Sequence, residues 1–536
     1  MNKKTFLKGA AILGVAGLLV QALGAVFRIP LANIIGDDGM GYYQTVYPIY
    51  VFLLVFSTNG APAAISKMAS ERLALGRAGE AHRVFKLSFI VMMLFGVISS
   101  AVLFFFAKEI IELLKAHEKS YYAMIAIAPA LLVISIMAVY RGYFQGMQEM
   151  LPTALSQFTE QLVRVGSGLA LAIILLPMGL EYAAGGASLG TAIGPVAGII
   201  VLAVIYYSKK RKIFEIIGKD KKEAQEKEST KSILKTLGLI AIPITIGVSI
   251  YPIMNLADVI LVQRRLVFTG IDEDMANALY GQLTGMAGPI INLPMALALS
   301  MALSMVPAIA AANSAKDAQF LNTNIRLGLR MSMIIGIPCS FGLIILAEPI
   351  MRLLYPMRVE SAVNAAGSLA ILAAGIVFLC IAQTMAGVLQ GLGKIGIAVI
   401  SLFIGFTVKC IATYYLVPAW GLDINGAAIG SVIGFITMAF VSFTAVCYLT
   451  KIRFDFVLSV AKPAMAGIIM SIVVVLVYGG FSLVISGRIA TVMAVIFGAA
   501  VYGVALCKIK AITKEEIVLL PKGKKLAALL GKFRLI

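Results

Sequence analysis

The chain has 536 residues, of which 60% are hydrophobic and 13% charged, about half the ~25% charge of a soluble domain. That much apolar surface cannot be hidden in one soluble core, so the chain belongs in a bilayer. The net charge of +19 is explained by basic cytoplasmic loops rather than by nucleic acid, because membrane proteins collect Lys and Arg there. With two histidines, and with Cys339, Cys380, Cys410, Cys447 and Cys507 in or beside apolar runs without C-x-x-C spacing, neither a metal, a disulfide framework nor a cofactor is expected.

Apolar runs near the ~20 residues a spanning helix needs follow almost end to end. They cover 8–30, 43–66, 85–107, 121–143, 154–176, 184–207, 233–262, 279–312, 325–347, 364–389, 395–416, 425–448, 459–480 and 489–507. None shows strand-like alternation over ten residues, so an all-α integral membrane protein of about fourteen transmembrane helices is predicted, not a barrel. Lys3, Lys4 and Lys8 before an apolar run resemble a secretory leader. The run continues to Pro30 and many spans follow, so it is read as an uncleaved first helix. The eighth span carries Pro289, Pro294 and Pro307 and is expected to bend.

With both termini in the cytoplasm, 34 of the 45 Lys and Arg residues fall in cytoplasmic segments and nine in outer loops. The positive-inside rule then places both termini on the cytoplasmic side of a bacterial inner membrane. The largest cytoplasmic loop, 208–232, contains Lys209-Lys210-Arg211-Lys212 and reads as a solvated linker beside anionic lipids. The tail 508–536 places Leu526, Leu529, Leu530 and Phe533 among lysines, as an interfacial helix does.

The halves resemble each other. Gly142-Tyr143-Phe144-Gln145-Gly146 matches Gly387-Val388-Leu389-Gln390-Gly391, and Pro62-Ala63 matches Pro307-Ala308, both 245 positions apart. Leu176-Pro177 matches Val417-Pro418 at 241, and Gly186-Ala187-Ser188-Leu189-Gly190 matches Gly426-Ala427-Ala428-Ile429-Gly430 at 240. Six helices separate the copies, so the repeat is parallel, with its axis along the membrane normal. The expected lobes are 1–207 (helices 1–6) and 233–448 (helices 7–12), with 449–507 (helices 13–14) outside the repeat. Two such lobes can enclose a central cavity and expose it to either side by rocking, which is transporter architecture.

Each charge within a span costs ~2.5–3.5 kcal/mol near the bilayer centre and needs a partner or a wet cavity. Arg28 ends the first span and either snorkels or lines the cavity. In the fifth span, Glu160 and Arg164 are four apart and either neutralise each other or face the cavity. Lys409, the counterpart of Arg164, has Gly405 where Glu160 would be and so lacks that local partner. In the seventh span Asn255 and Asp258 share a face just past Pro252. They are suited to H⁺ or Na⁺ coupling, unless Asp258 pairs with Arg28 or Arg264. Lys67 and Arg141 at helix ends are read as topology signals. Arg28, Arg164, Arg264, Arg265 and Lys409 together outnumber Glu160 and Asp258, which makes the expected cavity electropositive. Arg takes phosphate oxygens bidentately and Lys offers a point charge.

Phe6-Leu7-Lys8-Gly9, Arg28-Ile29-Pro30, Ile35-Gly36, Gly39-Met40-Gly41-Tyr42-Tyr43, Gly60-Ala61-Pro62-Ala63-Ala64-Ile65-Ser66-Lys67 and Gln145-Gly146 give the chain a family likeness. It resembles the stage V sporulation protein B and MurJ-like polysaccharide exporters of the multidrug/oligosaccharidyl-lipid/polysaccharide superfamily over essentially its whole length. The resemblance implies a monomeric flippase for undecaprenyl-pyrophosphate-linked saccharides, lipid II first among them, working by alternating access and coupled to membrane potential or Na⁺. It also implies diphosphate-binding arginines on helices one, two and eight. Arg28 matches the first. Helix two has no arginine in its span, and Arg264-Arg265 precede helix eight. The alternatives are an exporter of another lipid-linked polysaccharide unit and a cation-coupled drug or metabolite antiporter of the same superfamily. A membrane enzyme is disfavoured, because the outer loops are short and lack paired carboxylates placed for acid–base work.

Overall fold

In a bilayer the backbone must satisfy its own hydrogen bonds within each spanning segment, and the apolar runs accordingly fold as helices. A computed structural model describes residues 3–218, 228–419, 421–452 and 454–511. The tail helix expected around Leu526–Phe533 and residues 219–227 of the expected linker 208–232 lie outside these residues; the rest of that linker is largely helical, 208–218 continuing one helix and 230–232 opening the next. By packing, the chain forms two compact units, Met1–Gly281 and Gln282–Ile536. The first unit holds α1 (Lys3–Val55), α2 (Ala61–Ala74), α3 (Ala78–Phe105), α4 (Ala107–Leu114), α5 (Ser120–Ile127), α6 (Pro129–Gly146), α7 (Leu151–Leu175), α8 (Leu180–Gly218), α9 (Thr230–Phe268) and α10 (Glu273–Gly281). The second holds α11 (Gly288–Ser314), α12 (Ala318–Ile345), α13 (Ala347–Leu354), α14 (Val359–Ala374), α15 (Ile376–Gly391), α16 (Ile395–Leu416), α17 (Asp423–Thr450), α18 (Lys462–Ser482) and α19 (Gly487–Lys508).

Among the described residues, eleven helices are long and apolar enough to cross a membrane, or twelve if α14 and α15, bent by 44°, make one span. The sequence reading of about fourteen is larger because it takes 8–30 and 43–66 as separate spans and includes 233–262. Gly36 lies within α1 at φ 72°, ψ −172°, so two helices meet there, at a backbone conformation that favours glycine. In the eighth span a π-helical turn, Gln282–Ala287, lies between α10 and α11, two residues before Pro289, and α11 runs on through Pro294 and Pro307.

The seventh span, α9, packs within the first unit. A Cβ built on Gly60 would lie 2.4 Å from the Ala241 carbonyl oxygen, so α9 approaches closely there because Gly60 has no side chain. Farther along, the Gln263 amide donates to Thr45 Oγ1 at 2.8 Å. At its start, Ser229 caps α9 by accepting from Ser232 N at 3.1 Å. Glu228 beside it forms an ion pair with Arg72, and Arg83 Nη2 donates to Thr230 Oγ1 at 3.0 Å.

The repeat is visible in the contacts inside each unit. Gly186, Gly190 and Gly194 line the face of α8 that packs on α7. A Cβ on Gly190 would lie 2.4 Å from Gly168 Cα, and one on Gly194 would lie 2.7 Å from Arg164 Cβ. In the second unit Gly426, Gly430 and Gly434 do the same for α17 on α16, with Gly434 meeting Lys409 Cβ at 2.8 Å. Small residues at four-residue spacing let helix backbones approach where no hydrophobic effect drives them together. The pair α18–α19 packs on α12. There Arg330, 5% exposed, donates through Nε to the Ala511 carbonyl at 2.8 Å. A cation is well placed at the negative end of a helix, here just beyond α19.

Gly190→Ala is expected to cost ~1–3 kcal/mol by overpacking against backbone, read as a lower Tm in detergent. Gly479→Ala on α18, where nothing lies within 4 Å of the added Cβ, should leave Tm unchanged or slightly raised. Equal losses in both would discard the close-packing account. A second expectation concerns pH. Burial pushes the Glu228 carboxyl up, but hydrogen bonds from Arg72 and Ser232 and the charges of Arg72 and Arg83 outweigh it and hold the pKa below the usual 4.5. The ionised group therefore stabilises the fold at neutral pH, and that contribution is lost as pH falls through the lowered pKa. Glu228→Gln should melt below wild type at pH 7, and the gap should close as the pH falls through that lowered pKa.

Candidate functional site

The second part of α1, beyond Gly36, presents Tyr43, Tyr47 and Tyr50 at i, i+4 and i+7, one face of the helix. Tyr43 and Tyr47 stack at 5.8 Å between ring centroids, and Tyr47 and Tyr50 lie 6.0 Å apart. Arg28, from the first part of α1, places its guanidinium carbon 5.5 Å from the Tyr47 ring centroid. Arg164 on α7 does the same, also at 5.5 Å. Arg164 Nη2 also donates to Tyr43 Oη at 3.4 Å. One tyrosine ring thus serves two guanidinium groups. Gly194 permits this placement by letting α8 close on the Arg164 stem.

The sequence left open whether Glu160 neutralises Arg164 on the same helix. The structure gives Glu160 to Arg141 of α6 instead, Nη2 to Oε2 at 2.7 Å. Arg141 Nε donates to Ser156 Oγ at 3.0 Å, and Ser156 in turn donates to the Thr153 carbonyl at 2.8 Å. Arg141, read from sequence as a topology signal, is therefore the partner of the one acid on this face of α7. Its proximity depends on α6 packing against α7, which nothing in the local spacing reveals. Among the described residues Arg28 and Arg164 form no ion pair. The Arg164 Nε–H is buried and has no acceptor.

A cation–π contact contributes up to ~2 kcal/mol when desolvated, while an unmet charged donor costs at least as much. The tyrosines therefore hold the two arginines without saturating them. Such a bed can receive an anion with several oxygens, to which a guanidinium presents parallel N–H donors.

The other residues singled out from the sequence have the following surroundings. Arg264 Nη2 donates to the Leu113 carbonyl at 2.7 Å, so it caps the C-terminal end of α4. Arg265 lies over the Phe268 ring at 4.4 Å. Asn255 and Asp258 are half-buried on α9. Lys409 is half-buried on α16, in the second unit, against Gly434.

Residues 6–313 match the family model described as polysaccharide biosynthesis protein. The chain belongs to that family. Residues 280–416 match a second model, MatE. Stage V sporulation protein B of Bacillus subtilis (strain 168) is 29% identical over 527 residues, 97% of this chain and 98% of that protein. Lipid II flippase MurJ of the same organism is 27% identical over 517 residues, 93% of each. A solved structure of lipid II flippase MurJ in an inward closed conformation superposes with a TM-score of 0.65 at 16% identity, covering 92% of this chain and 97% of that one. An inward-facing multidrug resistance MATE family transporter reaches 0.67 at 16% identity, covering 80% and 94%. At such identity these structures establish the fold. This polysaccharide biosynthesis family protein is a multi-pass membrane protein.

The Arg141–Glu160 pair is largely buried, with side chains 13% and 19% exposed. Removing one partner strands the other, so Glu160→Leu is expected to cost ~3 kcal/mol, while Arg141→Met/Glu160→Leu together should recover most of it. Thermal melts of the three variants in one detergent form the double-mutant cycle. Additive losses would mean that the two side chains do not act as a pair.

Proposed function

We propose that the protein is a flippase that carries an undecaprenyl-pyrophosphate-linked saccharide from the inner to the outer leaflet, with the peptidoglycan precursor lipid II as its cargo. The single observation that carries this reading is the pair Arg28 and Arg164 on Tyr47, with a buried guanidinium N–H left for a ligand oxygen. Two permanent charges without a carboxylate, held on membrane-spanning helices, suit a diphosphate better than a neutral or cationic solute. Membership of the polysaccharide biosynthesis family supports a lipid-linked saccharide as the class. The relative named lipid II flippase MurJ, matched over 93% of each chain, supports lipid II within that class. The distribution of basic residues supports a cytoplasmic location for both termini. The parallel repeat supports alternating access, in which the site faces one leaflet and then the other.

A second reading, a cation-coupled antiporter of small solutes, draws on the MatE match over 280–416. It predicts transport of a free solute, whereas the flippase reading predicts a lipid-attached one.

The test is complementation of a strain depleted of its own lipid II flippase, with accumulated lipid II as the readout. The wild-type chain should relieve the accumulation. Arg28→Ala and Arg164→Ala should each lower flipping at least tenfold, about 1.4 kcal/mol of lost interaction, at normal membrane levels. Wild-type flipping in both variants would remove the arginine pair from the mechanism. Failure of a correctly inserted wild-type chain would exclude lipid II as cargo.

A further inference from the structure

The second unit contains a cavity of about 400 Å³ lined by Arg352, Leu353, Tyr478, Ser486, Arg488 and Thr491 among others. It lies where the short helix α13 meets the end of α18 and the start of α19. Two cations face it. Arg352 is held on one side by Glu348, at 2.8 Å from both Nε and Nη2. Arg488 is exposed and forms no ion pair or hydrogen bond among the described residues. Two guanidinium groups against one carboxylate leave the cavity net positive.

Its rim is apolar and open. Leu483 and Val484, just before Ser486, are 88% and 83% exposed, and Met357, just before Val359 of the lining, is 73% exposed. The helix α13 is itself amphipathic, with Met351 fully buried beside exposed Arg352, as in helices that lie in the membrane interface. Basic groups beside bare aliphatic side chains at the end of spanning helices match one chemistry, a phosphate joined to hydrocarbon. A free anion in water would find no use for the aliphatic rim, and a cationic or zwitterionic headgroup gains less from two arginines.

We propose that this cavity is a binding site for an anionic glycerophospholipid. Arg488 and the side of Arg352 turned away from Glu348 take the phosphate oxygens, Ser486 supplies a hydroxyl, and Leu483 and Val484 receive the acyl chains. Nothing in this assignment depends on which leaflet the cavity faces or on what the protein transports.

The test uses the full chain purified into nanodiscs of phosphatidylcholine with increasing phosphatidylglycerol. Retained lipid is counted by native mass spectrometry and Tm is recorded in parallel. Wild type should retain phosphatidylglycerol selectively and melt higher with it. Arg352→Gln/Arg488→Gln should weaken that retention about tenfold, while Arg352→Lys/Arg488→Lys keeps part of it and Lys316→Gln, on another loop, keeps all of it. If the double variant does not fold, Arg488→Gln alone carries the test, since that side chain has no protein partner to lose. Retention unchanged in the variants overturns the proposal. So does an equal rise in Tm from inorganic phosphate in pure phosphatidylcholine, which would assign the cavity to a soluble anion.

Discussion

A guanidinium near the centre of a bilayer costs about 2.5–3.5 kcal/mol on insertion scales, and the first unit carries Arg28, Arg141 and Arg164 on spanning helices. Among the described residues Glu160 is the carboxylate that pairs with this set. It goes to Arg141, where a 2.7 Å ion pair and the Ser156 hydroxyl satisfy the guanidinium together. The other two arginines are left to Tyr47. The tyrosine rings offset part of the desolvation cost and the Tyr43 hydroxyl accepts one N–H of Arg164, but neither neutralises the charge as a carboxylate would. This division of partners keeps the site receptive to an anion: had Glu160 bound Arg164, the charge would have been spent internally.

The scaffold that fixes this arrangement is made of absences. Gly186, Gly190 and Gly194 bring α8 onto α7 closely enough that a single added carbon would meet backbone or the Arg164 stem. The Arg164 backbone and Cβ therefore cannot shift without moving two helices. The second unit repeats the glycines, as Gly426, Gly430 and Gly434, and repeats the cation as Lys409, but it has Gly405 in place of Glu160. Duplication preserved the packing code and changed the chemistry laid on it. Close packing tolerates few substitutions, whereas charges at its edges are free to diverge.

Two other cations have partners that are carbonyl oxygens. Arg264 caps α4 through Leu113, and Arg330 caps the end of α19 through Ala511. Both set a permanent charge near the C-terminal end of a helix and tie one segment to another. In a chain with 45 basic and 26 acidic residues, carbonyl oxygens at helix ends are a direct way to satisfy cations.

The sequence by itself determined the solvent, the helical class and the repeat. Each is written in local pattern: apolar runs of spanning length, basic residues between them, and glycines recurring 240 to 245 positions apart. It also marked Arg28 and Arg164, because a charge within an apolar run is conspicuous wherever the run ends up. It did not reveal who pairs with whom. Spacing of four suggested Glu160 with Arg164, yet the carboxylate lies with Arg141 on another helix, 19 residues away. The tyrosine bed was likewise silent, since Tyr43, Tyr47 and Tyr50 read as ordinary interior aromatics until Arg28 and Arg164 are placed over them. Pairing is decided by tertiary structure, because a long charged side chain reaches across a helix interface as easily as along its own helix. The interface that wins is set by the small residues that let the backbones close.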